Sequence, residues 1–249
     1  MTRSLLPTLA SLALLCTGLA AQTGTRAPDG GTSTRVDGVE LLAIPGKPLS
    51  GKSSIEWTRT MEDGSTVTLQ GLANLARDNE GRMYRERRGW VPAGSGRVNP
   101  LNEMFFIDPV AKTRTVCTVQ TKQCLINNYA PRTALISVPE RPFVDASRSV
   151  SQESLGTESE EGMAVTGTRE TVTLNAGVAG NSQPLVTTRE FWYSAELETN
   201  LAVTRTDPRF GKQVVRLVDL QLGEPEAQTF ALPKGYAVVD LRKARPVEK

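Results

Sequence analysis

From Ile55 to Leu241 the chain repeats one pattern: a short run with apolar residues at every second position, then a polar turn. Ile55, Trp57 and Met61 fall on one side of such a run, with Ser54, Glu56, Thr58 and Thr60 opposite. Asp63-Gly64 is a turn signal, after which Val67, Leu69, Gly71, Ala73 and Leu75 line one face of a long strand. Period two is the repeat of a strand with one covered face. No segment keeps a 3.6-residue apolar period over three turns, so the chain is expected to be mostly β. The architecture predicted is a curved antiparallel sheet or half-barrel built from hairpins and meanders, with few helices. Gly71, inside its strand, reads as a bulge or bend.

The pattern continues through the turn Asp78-Asn79-Glu80-Gly81, a strand from Arg82 to Arg88, and a Gly/Pro/Asn loop from Trp90 to Leu101. Residues 113–119 and 123–127 form a further hairpin. Residues 129–162 change character, with Pro131, Pro139 and Pro142 followed by Glu153, Glu158, Glu160 and Glu161. They read as a long connection inside a single β-rich domain over 36–249, with a short strand near 152–157. In the second half, residues 212–222 are apolar on both faces, which predicts a central strand covered on both sides. The run ends on Phe230-Ala231-Leu232-Pro233-Lys234-Gly235-Tyr236.

Residues 1–20 have the make-up of an export signal: Arg3, an apolar stretch from Leu5 to Leu15, then Gly18-Leu19-Ala20 before the expected cleavage. The apolar stretch is shorter than the about 20 residues of a membrane span. Cys16 follows Leu15, where a lipid-attachment site calls for a small residue, so a cleaved signal is favoured over lipidation. Residues 21–35, rich in Thr, Gly, Pro and Ser, read as a disordered leader. The mature chain then keeps Cys117 and Cys124, which in an oxidising compartment pair most simply with each other. Their hairpin turns either at Gln120-Thr121 or as a four-residue loop, Val119–Lys122. A bacterial periplasmic or secreted location follows.

Composition narrows the chemistry. There is no histidine among 249 residues, which excludes a Ser-His-Asp or Cys-His arrangement within this chain. With 29 basic against 27 acidic residues, no global field favours nucleic acid, and 5% aromatics offer no platform for stacked bases.

Local motifs each have a plainer reading. Gly46-Lys47-Pro48-Leu49-Ser50-Gly51-Lys52-Ser53 fits the P-loop spacing, but Ile55 onward alternates as a strand where a phosphate-binding helix is required. Arg77, Arg82, Arg85, Arg87 and Arg88 are the densest basic cluster; a strand splits them between two faces, so a charged edge is expected rather than an anion site. Asp78–Gly81 lacks calcium-loop spacing. Glu190, Glu196, Glu198, Asp207 and Asp219 supply carboxylates for a hydrolase, though acidic residues at turns and strand ends are ordinary. Ser194 and Lys212 sit in no Ser-Lys motif.

The stretch Phe191-Trp192-Tyr193-Ser194-Ala195-Glu196-Leu197, Asp207-Pro208-Arg209-Phe210-Gly211, Gly223-Glu224-Pro225-Glu226 and 230–236 carries two resemblances. The closer is to bacterial exported proteins of unknown function, and it extends to 55–60, 82–88 and 155–173. More distantly, the last fifty or so residues resemble the LolA-like outer-membrane lipoprotein-carrier superfamily, with its aromatic strand and late Phe-x-x-Pro-x-Gly-Tyr. That resemblance implies a curved half-barrel holding acyl chains. This chain departs from it in lacking the helices that fill the family's concavity.

The resulting expectation is an exported, non-catalytic protein that binds a lipid, another apolar ligand or an envelope partner, with no cofactor, metal or nucleic acid. Trp57, Leu69, Phe191, Trp192 and Val218 are the cavity candidates. A carboxylate- or lysine-dependent hydrolase and a structural interaction module are the alternatives.

Overall fold

The computed structural model describes residues 39–131 and 138–243. The predicted export signal over 1–20, Cys16 within it, and the leader over 21–35 lie outside the described residues. The strands are β1 (Leu49–Thr60), β2 (Thr66–Arg77), β3 (Met83–Arg88), β4 (Val91–Pro92), β5 (Leu101–Asp108), β6 (Thr113–Thr118) and β7 (Gln123–Asn128). They continue with β8 (Phe143–Val144), β9 (Arg148–Glu160), β10 (Met163–Leu174), β11 (Leu185–Ser194), β12 (Thr199–Asp207), β13 (Gly211–Leu222) and β14 (Ala237–Asp240). Among the described residues helix is limited to single 3-10 turns at Ala227–Phe230 and Leu241–Lys243.

All strands join one curved sheet that does not close into a barrel. Its order is β14-β7-β6-β5-β3-β2-β1-β13-β12-β11-β10-β9-β8, with β4 on β2. Every pairing is antiparallel except β14 on β7. The first strand therefore pairs with the thirteenth, and the sheet is assembled from both ends of the chain.

The predicted faces hold on β1 and β2. Trp57 stands opposite Leu69 and Ile55 opposite Gly71, across a turn in which the Asp63 carboxylate accepts the Ser65 N–H at 2.9 Å. Gly71 is not a bulge: the β1–β2 register runs unbroken, and the glycine instead makes room for the Trp90 ring, 3.1 Å from where a Cβ would stand. Bulges fall opposite Ser50/Lys52, at Arg87/Arg88, at Gly167/Thr168 and at Trp192/Tyr193. The P-loop pattern resolves into strand, because β1 begins at Leu49 and carries Gly51-Lys52-Ser53 as extended backbone. Extended backbone alternates its amides and cannot cradle a phosphate.

Two readings are corrected. Residues 129–162, expected to be mainly connection, contain the 13-residue β9. This strand lies near the sheet edge with most of its residues exposed on both faces, so no apolar alternation marks it. On β13, Gln213, Val215 and Leu217 are buried while Val214 and Val218 are only half-buried and Arg216 is exposed, so one face is covered and the other partly.

Two apolar clusters carry the packing. One joins Leu49, Leu75, Val165, Leu201 and Leu217 with Met163 and Leu197. The other joins Met104, Phe106, Cys117 and Cys124, with Leu232 and Tyr236 packed on it. Cys117 and Cys124 form a disulfide between directly paired residues, closing the four-residue loop Val119–Lys122. Arg77, fully buried, donates to the carbonyls of Leu42, Lys47 and Leu197 and so fastens residues 42–47 and the turn after β11 to β2. Burial pushes its pKa down to about 10, still charged at neutral pH.

Candidate functional site

A row of directly paired residues crosses the sheet: Gln221, Ser50, Ala76, Tyr84 and Phe106. Paired residues point to the same face. Met104 widens this row into a floor that is apolar at its Phe106 end, with Leu220 at the other side. Tyr84 and Phe106 are in ring contact, centroids 5.3 Å apart.

Over the floor runs a strap, residues 223–236, that leaves β13 and returns to the sheet as β14. Gln228, Thr229, Ala231 and Pro233 of the strap face the floor across a groove of about 830 Å3. The strap is held at both ends. The Glu224 carboxylate accepts the Asn79 N–H at 2.8 Å, and Gly223 N–H donates to the Pro48 carbonyl at 3.1 Å. Arg82 lies over the Phe230 ring at 5.5 Å, and Leu232 and Tyr236 pack on the disulfide cluster. The span between these anchors carries only one turn of 3-10 helix, with no side-chain cap.

Beside the floor, β2 and β3 splay apart, and side chains take over the strand's hydrogen bonds. Glu86 accepts the Asn74 N–H at 2.9 Å, the Asn74 side-chain N–H at 3.1 Å, the Tyr84 hydroxyl at 2.9 Å and the Arg88 guanidinium at 2.6 Å. Burial pushes the Glu86 carboxyl up, but these donors outweigh it and hold the group below its usual range. Burial, then the Glu86 charge, push the Tyr84 phenol well up, so it stays a donor. Asn99 does the same one step along: its amide donates to the carbonyls of Gln70 and Gly89 and accepts the Leu72 N–H. A second compartment of about 470 Å3 opens here, sharing Lys52 and Asn74 with the groove.

None of the five predicted cavity residues lines the groove. Trp57 and Leu69 are paired with each other, but they point to the opposite face. They belong to a second row across the sheet, Gln152, Glu170, Arg189, Arg205, Gln213, Trp57 and Leu69. Trp57 stacks edge-on against Trp90 at 5.2 Å and donates its indole N–H to the Phe210 carbonyl. Phe191 is buried on that same face between Thr168 and Val203. Trp192 faces the other way and packs over Gly167. Val218 sits opposite Lys52, just outside the groove.

Three of the carboxylates offered for hydrolysis sit in separate ion pairs: Glu190 with Arg169 at 2.8 Å, Glu198 with Lys47 at 2.8 Å, Asp219 with Lys52 at 2.8 Å; Glu196 meets Lys47 only through its backbone carbonyl, at 2.8 Å. Buried Asp207 is gripped by Arg205 at 3.0 Å and Arg209 at 2.8 Å and accepts the Thr187 hydroxyl at 3.2 Å. Burial raises the Asp207 carboxyl, but the Arg209 and Arg205 contacts bring it down to about 2. Among the described residues, no group of three or more Asp, Glu and Cys side chains is placed to hold a metal. No described helix is long and apolar enough to cross a membrane.

No family model matches the chain, and no curated protein matches it. Among solved structures, it is similar to an uncharacterized conserved protein from Thermus thermophilus, with 13% identity over 78% of this chain and 90% of that one, TM-score 0.38. It is also similar to a structure of the Pseudomonas aeruginosa MucA/MucB complex, with 12% identity, 79% of this chain and 59% of that chain covered, TM-score 0.39. A putative outer membrane lipoprotein-sorting protein domain from Vibrio parahaemolyticus matches with 12% identity over 73% and 88%, TM-score 0.17.

Proposed function

We propose that this chain is an exported, non-catalytic binding protein whose roofed groove takes an apolar ligand. The observation that carries the reading is the groove itself. Its floor is built from Ala76, Tyr84, Met104 and Phe106, it lies within the size range of small-molecule sites, and it is covered by a segment anchored at both ends. The buried Cys117–Cys124 disulfide supports an oxidising compartment, as does the expected export signal. The dispersal of the carboxylates into ion pairs supports a binding role over hydrolysis.

The test is native mass spectrometry and lipid extraction on protein purified from the periplasm, joined to titration with a fluorescent apolar probe. Co-purified lipid, or a probe displaced by lipid, supports the reading. Protein that carries no lipid and takes up no probe overturns it.

An envelope partner is favoured by a different observation. β8 covers only Ser149 and Val150 of β9, so the outer edge of β9 from Ser151 to Glu160 has no strand partner among the described residues. Such an edge accepts an added strand. Capture of a partner that protects the amides of 151–160 from exchange supports this second role.

A further inference from the structure

We infer that the occupant of the groove is a single-chain amphiphile with an anionic head, its tail on the Phe106 floor and its head in the second compartment beside Arg97 and Lys52. This rests on the binding role proposed above and specifies its ligand class. Three relationships support it. First, the two compartments adjoin: they share Lys52 and Asn74 as a common wall, and these two residues are directly paired and lie on one face of β1 and β2. Second, their chemistry differs along that line. The groove end is lined by Tyr84, Met104, Phe106 and Leu220, whereas the second compartment is lined by the three cations Lys52, Arg88 and Arg97 and no carboxylate.

Third, the cations are unequally committed. Arg88 is fully engaged: both its edges are held, by Glu86 and by the Asn99 carbonyl at 2.9 Å. Its rigid placement fixes the back wall. Lys52 is paired only with Asp219, and that pair is exposed, at 39% and 64% of the two side chains. Exposed pairs of this kind contribute little, so a bound anion can take the ammonium from Asp219 at small cost. Arg97 makes no ion pair with a described residue. It rides on the loop 93–100, which Asn99 pins to β2 through Gln70 and Leu72, so its backbone is fixed while its guanidinium is available. A head group entering here meets the Arg97 guanidinium directly and the Lys52 ammonium once it leaves Asp219.

The experiment compares cis-parinaric acid with its methyl ester, which share one fluorescent chain and differ in head charge, on the mature protein with its disulfide intact. The expected result is about tenfold tighter binding of the acid, a preference that added salt reduces. Arg97→Gln and Lys52→Gln each lower the affinity of the acid several-fold and leave the ester unchanged. Lysophosphatidic acid, which carries a phosphate head, then displaces the acid. If acid and ester bind equally, or if both variants leave the preference intact, the anionic head is overturned while the apolar groove stands. If neither probe binds, the groove reading itself is overturned, and the inference with it.

Discussion

Trp192 lies over its cross-strand neighbour Gly167, so closely that a Cβ on Gly167 would come within 2.5 Å of the indole ring. The same Cβ would stand 2.8 Å from the Cβ of Leu155. Neither the indole nor the Leu155 Cβ is a flexible end that can swing away. Gly167→Ala therefore overpacks a buried contact and is expected to cost about 1–3 kcal/mol. Urea unfolding monitored by tryptophan fluorescence measures this. An unchanged midpoint would mean that Trp192 is free to move.

Asp207 ties acid stability to β12. Its folded pKa of about 2 lies below the ordinary 3.8, so its contribution is fully present above pH 3.8 and is lost as pH falls toward 2. The span corresponds to about 2 kcal/mol. Asp207→Asn is expected to flatten this part of the pH–stability curve. It also leaves Arg205 and Arg209 without their carboxylate and lowers stability at neutral pH by about 3 kcal/mol. Chemical denaturation at several pH values separates the two effects.

The Cys117–Cys124 bond closes a short loop, and its entropic contribution is about 2.5 kcal/mol. Cys117→Ser with Cys124→Ser should lose about that much. Both cysteines are fully buried, so mild reductant should leave the bond intact in the native protein and cleave it only in denaturant. Thiol labelling with and without urea checks this. Leu232 and Tyr236 rest on the same cluster, so the double variant should also become more sensitive to protease within the strap.

Ala231 is an exposed strap residue that faces the groove. Ala231→Trp fills the space above the floor without disturbing a buried contact. Apolar probe affinity should fall at least about tenfold while the melting temperature stays within a degree or two. Fluorescence titration and calorimetry on one sample give both numbers. A variant that binds as tightly as the parent would place the ligand elsewhere.

Strands, turns and the disulfide were legible because each rests on local chemistry: Asp63-Gly64 makes its turn whatever surrounds it, and alternation puts Trp57 and Leu69 on one face. The groove was not legible. Its floor row, Ser50, Ala76, Tyr84 and Phe106, mixes small and polar residues with aromatics, and only the pairing of four strands brings them into line. The large residues Trp57 and Phe191 lie on the opposite face, which ion pairs and packing fill, and side-chain size alone does not tell the two faces apart. A signal did exist for the roof. The Leu232-Pro233 and Gly235-Tyr236 elements of the closing segment mark a break from strand, although sequence alone cannot say that β14 would return to pair in parallel with β7.

The parallel docking of β14 sets an order of assembly. Lys52 and Asp219, ion partners at the groove rim, are 167 residues apart in the chain. The strap and β14 come later still. Contacts this distant must pay loop closure before they reward it, which makes folding slow. A chain emerging from the ribosome N-terminus first holds β1 and β2 long before it holds β13 or the roof. Until the strap and β14 arrive, the floor of Phe106 and Met104 stands uncovered, an apolar surface open to wrong contacts.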